Sequence, residues 1–217
     1  MKRVPTQDIP LGNNLNAKSA PPLIGVLALQ GAYDAHVKAL HSIGAQTRLV
    51  RSPDQLQGLD GLIMPGGEST TMLKFLERNG FFEMLQDYVK TTPTFGTCAG
   101  AILLATCVEH PAQKSLAALD ITVERNAYGR QNDSTILKAP TKLPGGPLEM
   151  VFIRAPRITH TGPAVEILAT REGFPTLVRS GHLLAATFHP ELSDDHRVHQ
   201  LFLDLIHQKQ AQPSQSS

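Results

Sequence analysis

The sequence predicts an α/β fold: a mostly parallel central sheet flanked by helices on both faces, with antiparallel additions in the second half. Three observations predict it. Leu23 to Leu29 is almost continuously apolar, as a strand buried on both faces of a sheet must be. From there to Phe95, short apolar runs alternate with helically spaced ones, the β-α-β-α order of a parallel sheet whose ligand sites gather at the carboxyl ends of the strands. In the second half the pattern changes to short strand-like runs separated by Gly and Pro, as antiparallel strands are.

Each element has its own signal. After the first strand, Val37, Leu40 and Ile43 mark a helix that Gly44 ends, and Thr47 to Val50 follows as a strand. Leu59 to Met64 is the next strand, closed by Pro65-Gly66-Gly67. Ser69 then stands at the expected N-cap of a helix carrying Met72, Leu73 and Leu76. A further helix carries Phe82, Leu85 and Val89, and Pro93-Thr94-Phe95 is a strand that runs into Gly96-Thr97-Cys98-Ala99-Gly100. Beyond it lie strand-like runs at Ile121–Glu124, Val151–Ile153, Val165–Leu168, Thr176–Val178 and Leu183–Phe188. Val198, Leu201, Phe202, Leu205 and Ile206 give a last helix from Asp194 to Ile206, with Ser193 as its N-cap.

Composition bounds the function. The chain has 217 residues, 41% hydrophobic and 18% charged, enough for one compact domain over residues 23–207. Residues 1–22, broken by Pro5 and Pro10 and lacking an apolar signal core, read as a disordered extension; residues 208–217, rich in Gln and Ser, read as a disordered tail. Its 20 basic and 19 acidic residues leave a charge of +1, and no basic run interleaves with aromatics, which argues against nucleic acid as a partner. No stretch is long and apolar enough for a membrane span, and no glycine loop of Walker type predicts a nucleotide. Cys98 and Cys107 fall on one predicted helix, roughly 13 Å apart, too far to bridge, so a reducing cytoplasm is expected. No cofactor and no metal are expected, because His196 and His199 lack a third ligand and read as a solvated face. His36 and His41 have the wrong spacing for a common helix face and receive no role.

The chemistry centres on Cys98. Gly-x-Cys-x-Gly between an apolar strand and an apolar helix has the form of a nucleophile elbow, with the helix's positive end aimed at the sulfur. A cysteine alone is more often a small buried hydrophobe, which is the reading of Cys107. What distinguishes Cys98 is its company. His189, at the end of an apolar strand, is the candidate base. In extended chain Glu191 projects on the same side with Pro190 turned away, and a carboxylate there fixes the imidazole's tautomer. Donors for an oxyanion are the N–H of Ala99 and the loop Gly66-Gly67, where no side chain obstructs the backbone.

These motifs carry a family resemblance from Ile24 to about Ile206. Gly25-Val26-Leu27-Ala28-Leu29-Gln30-Gly31, Pro65 to Thr71, Phe95 to Gly100, Val123 to Gln131, Phe152 to Pro156 and Phe188 to Glu191 resemble the class I glutamine amidotransferases. Gly-Gly-Glu-Ser-Thr-Thr and Arg-Asn-x-Tyr-Gly-Arg-Gln narrow this to the glutaminase subunits of pyridoxal 5′-phosphate synthase. The resemblance implies a flavodoxin-like sheet and hydrolysis of L-glutamine to glutamate and ammonia through a Cys98 thioester, with His189 as acid and base and Glu191 orienting it. It places Gly67, Glu68, Ser69, Arg125, Ile153 and Arg154 at glutamine-binding positions. Charge pairing suits Arg125 and Arg154 to the α-carboxylate and Glu68 to the α-ammonium, with the division between the two Arg open. It further implies a separate synthase subunit (PdxS/SNZ type) that receives the ammonia and activates the glutaminase on docking. Alternatives are a glutaminase subunit of another pathway, a non-catalytic regulatory module on the same fold, and a stress-related cysteine hydrolase.

Overall fold

The computed structural model describes residues 20–78, 80–125 and 134–211. In the first half, strands and helices alternate as β1 (Leu23–Leu27), α1 (Tyr33–Ser42), β2 (Gln46–Val50), β3 (Gly61–Met64), α2 (Ser69–Leu76), α3 (Phe81–Thr91), β4 (Thr94–Thr97) and α4 (Ala99–Leu104). The second half is mainly strands: β5 (Ala105–Glu109), β6 (Leu119–Glu124), β7 (Thr135–Ala139), β8 (Leu148–Phe152), β9 (Arg157–Thr161), β10 (Glu166–Arg171), β11 (Phe174–Ser180) and β12 (Leu183–Ala186), closed by α5 (Arg197–Ala211). No helix among the described residues is long and apolar enough to cross a membrane.

The central sheet has seven strands in the order β10-β11-β12-β4-β3-β1-β2. From β12 to β2 all pairings are parallel, and β10 and β11 add to that edge antiparallel, as the sequence predicts. The remaining strands do not join it: β5-β6-β9 and β7-β8 form two small sheets of their own.

Strand periodicity divides the interior into two cores. Ile24, Val26 and Ile63 point to one face and meet Leu40 of α1 and Val198, Phe202 and Ile206 of α5. Leu27, Leu62 and Met64 point to the other, against Met72, Leu85 and Leu103 from α2, α3 and α4. The chain leaves β1 towards β2 on one side and returns to β3 on the other, so the carboxyl ends of β1 and β3 flank a topological switch point. The loops after β1, β3, β4 and β12 open at that end.

Three sequence expectations need correction. Cys107 is not on a helix with Cys98: α4 stops at Leu104, and Cys107 is exposed on β5, where β-branched Thr106 and Val108 favour strand. α5 starts at Arg197 and runs to Ala211, past Gln208, where polar composition predicts a disordered tail. Gln, Lys and Ala are good helix formers, and Gln210 Nε2 donates to Asp60 Oδ1 at 2.8 Å, fastening the last turn. The Ser193 hydroxyl caps the turn before that helix, accepting from the Asp195 N–H at 3.1 Å. Residues 1–19 of the predicted extension and 212–217 of the tail lie outside the described residues.

Candidate active site

Cys98 lies between β4 and α4 with φ 46°, a left-handed conformation that L residues adopt under constraint, and only 6% of its surface is exposed. The constraint comes from close packing on both sides. A Cβ on Gly96 would stand 2.6 Å from the Gly100 carbonyl oxygen, and one on Gly100 would overlap the Met64 carbonyl. Glycine at both positions lets α4 fold back onto β3 and β4, and this forces the sharp turn at the cysteine. The Cys98 N–H donates to the Ala186 carbonyl at 2.8 Å, tying the elbow to the end of β12.

That strand end delivers His189 and Glu191. Their side chains meet as the sequence predicts, but not through extended chain: Pro190 opens a 3-10 turn over Pro190–Leu192, because its fixed φ suits a first helical position. The turn folds Glu191 back until Oε1 lies 2.7 Å from His189 Nδ1. His189 N–H donates to the Val151 carbonyl at 2.8 Å, which fixes the backbone on its other side. Both side chains are almost wholly buried. Burial alone would lower the His189 pKa, but the neighbouring Cys98 and Glu191 outweigh this and push it up to about 10. A proton is therefore favoured on His189 in spite of its burial.

Behind His189 and Glu191 stands a group that the sequence reading leaves without a role. His36 is fully buried, with Nε2 3.1 Å from Thr97 Oγ1 and 3.4 Å from Glu191 Oε2, and with Nδ1 3.0 Å from His199 Nε2. His199 is also fully buried, not on a solvated face. The signal was present in the periodicity. His36 precedes Ala39, Leu40 and Ile43 by three, four and seven residues, and His199 stands likewise to Phe202, Leu203 and Ile206, so each histidine occupies an apolar stripe.

The loop after β3 closes the other side. Gly66 is buried against His189 and Cys98: a Cβ there would overlap His189 Cε1 and lie 3.2 Å from Cys98 Cβ. Its carbonyl accepts from the Ala32 N–H at 3.3 Å, and Gln30 brackets the next peptides, accepting from Glu68 N–H and donating to Glu68 O, both at 3.1 Å. Gly67 is exposed beside it. The N-cap of α2 is Glu68 rather than Ser69. Its carboxylate reaches back to accept from the Thr71 and Thr70 N–H groups at 2.6 and 3.1 Å, which leaves Ser69 as the first helical residue. The buried Ser69 hydroxyl donates to Gln113 Oε1 at 3.0 Å.

Arg125 joins this helix start. Its guanidinium donates to Thr70 Oγ1 at 2.7 Å and lies 3.7 Å from Glu68 Oε1. Glu68, Ser69 and Arg125 are thus brought together. Ile153 and Arg154 follow β8, just beyond the Val151 carbonyl that holds His189. Both are exposed, and Arg154 has φ 46°. Ala99 begins α4, where N–H groups of the first turn have no partner within the helix. The rest of the Arg125 motif, Asn126 to Gln131, lies outside the described residues.

The chain is similar to known proteins along most of its length. A sequence model of the SNO glutamine amidotransferase family matches residues 26–208. The chain is 60% identical over 183 residues to a protein of Koribacter versatilis (strain Ellin345) named pyridoxal 5′-phosphate synthase subunit PdxT, covering 84% of this chain and 95% of that one. It is 51% identical to the subunit of the same name from Thermotoga sp. (strain RQ2), covering 84% and 98%. A crystal structure described as a glutamine amidotransferase superposes with a TM-score of 0.78 at 44% identity, over 85% of this chain and 98% of the other.

Proposed function

Because this chain belongs to the SNO glutamine amidotransferase family, we propose that it hydrolyses L-glutamine as the glutaminase subunit of a pyridoxal 5′-phosphate synthase, with Cys98 as nucleophile. The observation that carries the residue assignment is the buried His189–Glu191 pair, 2.7 Å apart, with Cys98 beside the ring: a Cβ on Gly66 would press on both His189 and Cys98.

The Cys98 sulfur attacks the side-chain amide carbon of glutamine with its proton held on His189. The resulting oxyanion is met by backbone N–H groups of Ala99 and of the Gly66-Gly67 loop, donors that on loss typically cost about 3 kcal/mol each. As the C–N bond breaks, His189 returns its proton to the nitrogen and ammonia leaves. Water, deprotonated by His189, then attacks the glutamyl thioester, and glutamate is released with the thiol restored. Glu191 stabilises the imidazolium at both stages. Glutamine's α-carboxylate suits Arg125 and Arg154, its α-ammonium suits Glu68, and Gly67, Ser69 and Ile153 complete the pocket wall. Glu68 is well placed to stay ionised. Slight burial works against it, but the Thr71 and Thr70 donors prevail and hold its pKa down to about 2.

Ammonia is valuable only if it is captured. A docked synthase subunit of PdxS/SNZ type is its acceptor, and the cytoplasm is the expected setting. The test is to mix the purified chain with such a synthase subunit and L-glutamine and to measure glutamate. Release that depends on the synthase and disappears in Cys98→Ala is the expected result. No release by the complex, or undiminished release by Cys98→Ala, overturns the assignment.

A further inference from the structure

We propose that His36 is a positioning residue for Glu191, holding the carboxylate through Nε2–H, and that His199 sets the tautomer of His36 that makes this possible. The inference rests on Cys98, His189 and Glu191 forming the triad, and extends it by two residues that no family motif quoted above contains.

Hydrogen-bond inventory fixes the direction of the chain. An ionised carboxylate only accepts. Glu191 Oε1 accepts from His189 Nδ1, while Oε2 is buried with no hydrogen bond of ordinary geometry and is faced by His36 Nε2 at 3.4 Å. A bare ring nitrogen there would set lone pair against lone pair, so Nε2 carries the hydrogen and shares it with Thr97 Oγ1 at 3.1 Å. Burial lowers the pKa of His36 and keeps the ring neutral, which leaves Nδ1 bare and able only to accept. Its partner is His199 Nε2 at 3.0 Å, which must therefore be the N–H nitrogen of that ring. His199 Nδ1 is then bare, and it is the atom of that ring that is buried with no hydrogen-bond partner.

The reversed chain has two faults. It would place an orphaned N–H at His199 Nδ1, rarer and costlier in a protein interior than an under-satisfied acceptor, and it would turn a lone pair on Glu191. The surroundings hold the rings in place. Phe95 meets His36 edge-on at 6.2 Å between centroids and His199 at 6.0 Å, and α1, β4 and α5 supply one member each to the cluster of His36, Thr97 and His199. The titratable groups facing His36 are Glu191, His189 beyond it, and His199, with His196 behind His199 at 6.4 Å between rings.

The tautomers can be read directly. In the full chain with 15N-labelled histidine, free of glutamine and synthase, long-range 1H–15N spectra should show hydrogen on Nε2 of both His36 and His199. A His36 hydrogen on Nδ1 overturns the proposal. The kinetic arm uses the complex with its synthase. His199→Leu removes the donor and should lower kcat about tenfold with KM unchanged, whereas His199→Gln, whose amide can still donate to His36 Nδ1, should stay within about twofold of the parent. Equal kcat for the two variants, with both folded by thermal melting, also overturns it. If the parent complex releases no glutamate, the glutaminase assignment fails on its own, and the tautomer measurement still decides the arrangement of the histidines.

Discussion

Gly66 stands so close to His189 that the absence of its side chain is a structural requirement. Its backbone can accept alanine, but the added Cβ would overlap His189 Cε1 and lie 2.9 Å from Nδ1, the atom bonded to Glu191. Either the loop withdraws or the ring swings out of line with Cys98. Gly66→Ala should therefore lower kcat about 100-fold, the usual scale for a displacement near 1 Å at a reacting group, while denaturant midpoints shift little. An unchanged kcat would show that the loop and ring are not in contact during turnover. The same closeness explains what the sequence reveals at this scale. Cys98 is legible because its glycines are its neighbours in the chain, and His189 with Glu191 because one short turn joins them. His36 is not legible as a site residue, since it meets His199 across 163 positions and shows in the sequence only as one more member of an apolar stripe.

Helix α2 begins beside that loop, and its first turn tests how far local signals reach. Ser69 has the better statistical claim to the N-cap, yet Glu68 holds it, because Gln30 clamps the Glu68 backbone while the longer side chain folds back over Thr70 and Thr71. That choice depends on a residue 38 positions away and cannot be read from spacing. Glu68→Ala should cost about 1 kcal/mol of stability, an ordinary N-cap loss, and should also raise KM for glutamine if Glu68 meets the α-ammonium. The effect on stability has a sign in pH. The folded pKa, about 2, is below the ordinary glutamate value of 4.5, so the cap contributes fully above pH 4.5 and its contribution fades as pH falls toward 2. Parent and variant should thus converge in denaturant midpoint at low pH, and a gap that persists at pH 2 would contradict this. At the start of α5, Arg197 shows an element held by one side chain. Its guanidinium donates to the carbonyls of Pro144, Gly146 and Pro147 at 2.7 to 2.9 Å and to both oxygens of Asp195. The Pro-Gly-Gly-Pro segment, a plain loop by composition, is in fact fastened to the start of α5. Arg197→Lys cannot reproduce that fan of donors and should cost about 2 kcal/mol in denaturant unfolding. A loss near zero would mean that the loop holds itself.

Across the whole molecule, the three buried histidines, His36, His189 and His199, stand in two opposite electrostatic settings, and stability should follow from the difference. The parallel sheet and its two cores were legible from the alternation of apolar runs, because burial on both faces leaves that mark on Leu23 to Leu29 and Leu59 to Met64. Where β5 to β9 would pair was not, because short amphipathic strands can add to any free edge. Nor does periodicity say what charge a buried histidine bears. His36 and His199 are held neutral, their pKa values lowered by burial first and, for His199, then by the neighbouring rings His36 and His196. His189 is held protonated by Cys98 and Glu191 in spite of its burial. The linkage signs follow. For His36 and His199 the folded pKa lies below the ordinary histidine value of 6.5, so as pH falls below 6.5 the unfolded chain takes up protons that the folded one refuses, and stability drops. For His189 the folded pKa lies above 6.5, so its contribution is complete below 6.5 and is lost as pH rises through about 10. Between pH 6.5 and 5 the His189 contribution is constant, and the common carboxylates are still largely ionised, so the slope there belongs chiefly to the buried neutral histidines. The urea midpoint should fall from pH 7 to pH 5, and should fall less in His199→Gln, which keeps the donor to His36 but cannot be protonated. Equal slopes for parent and variant would mean that His199 already takes up its proton in the folded state, and that the buried ring pair is charged.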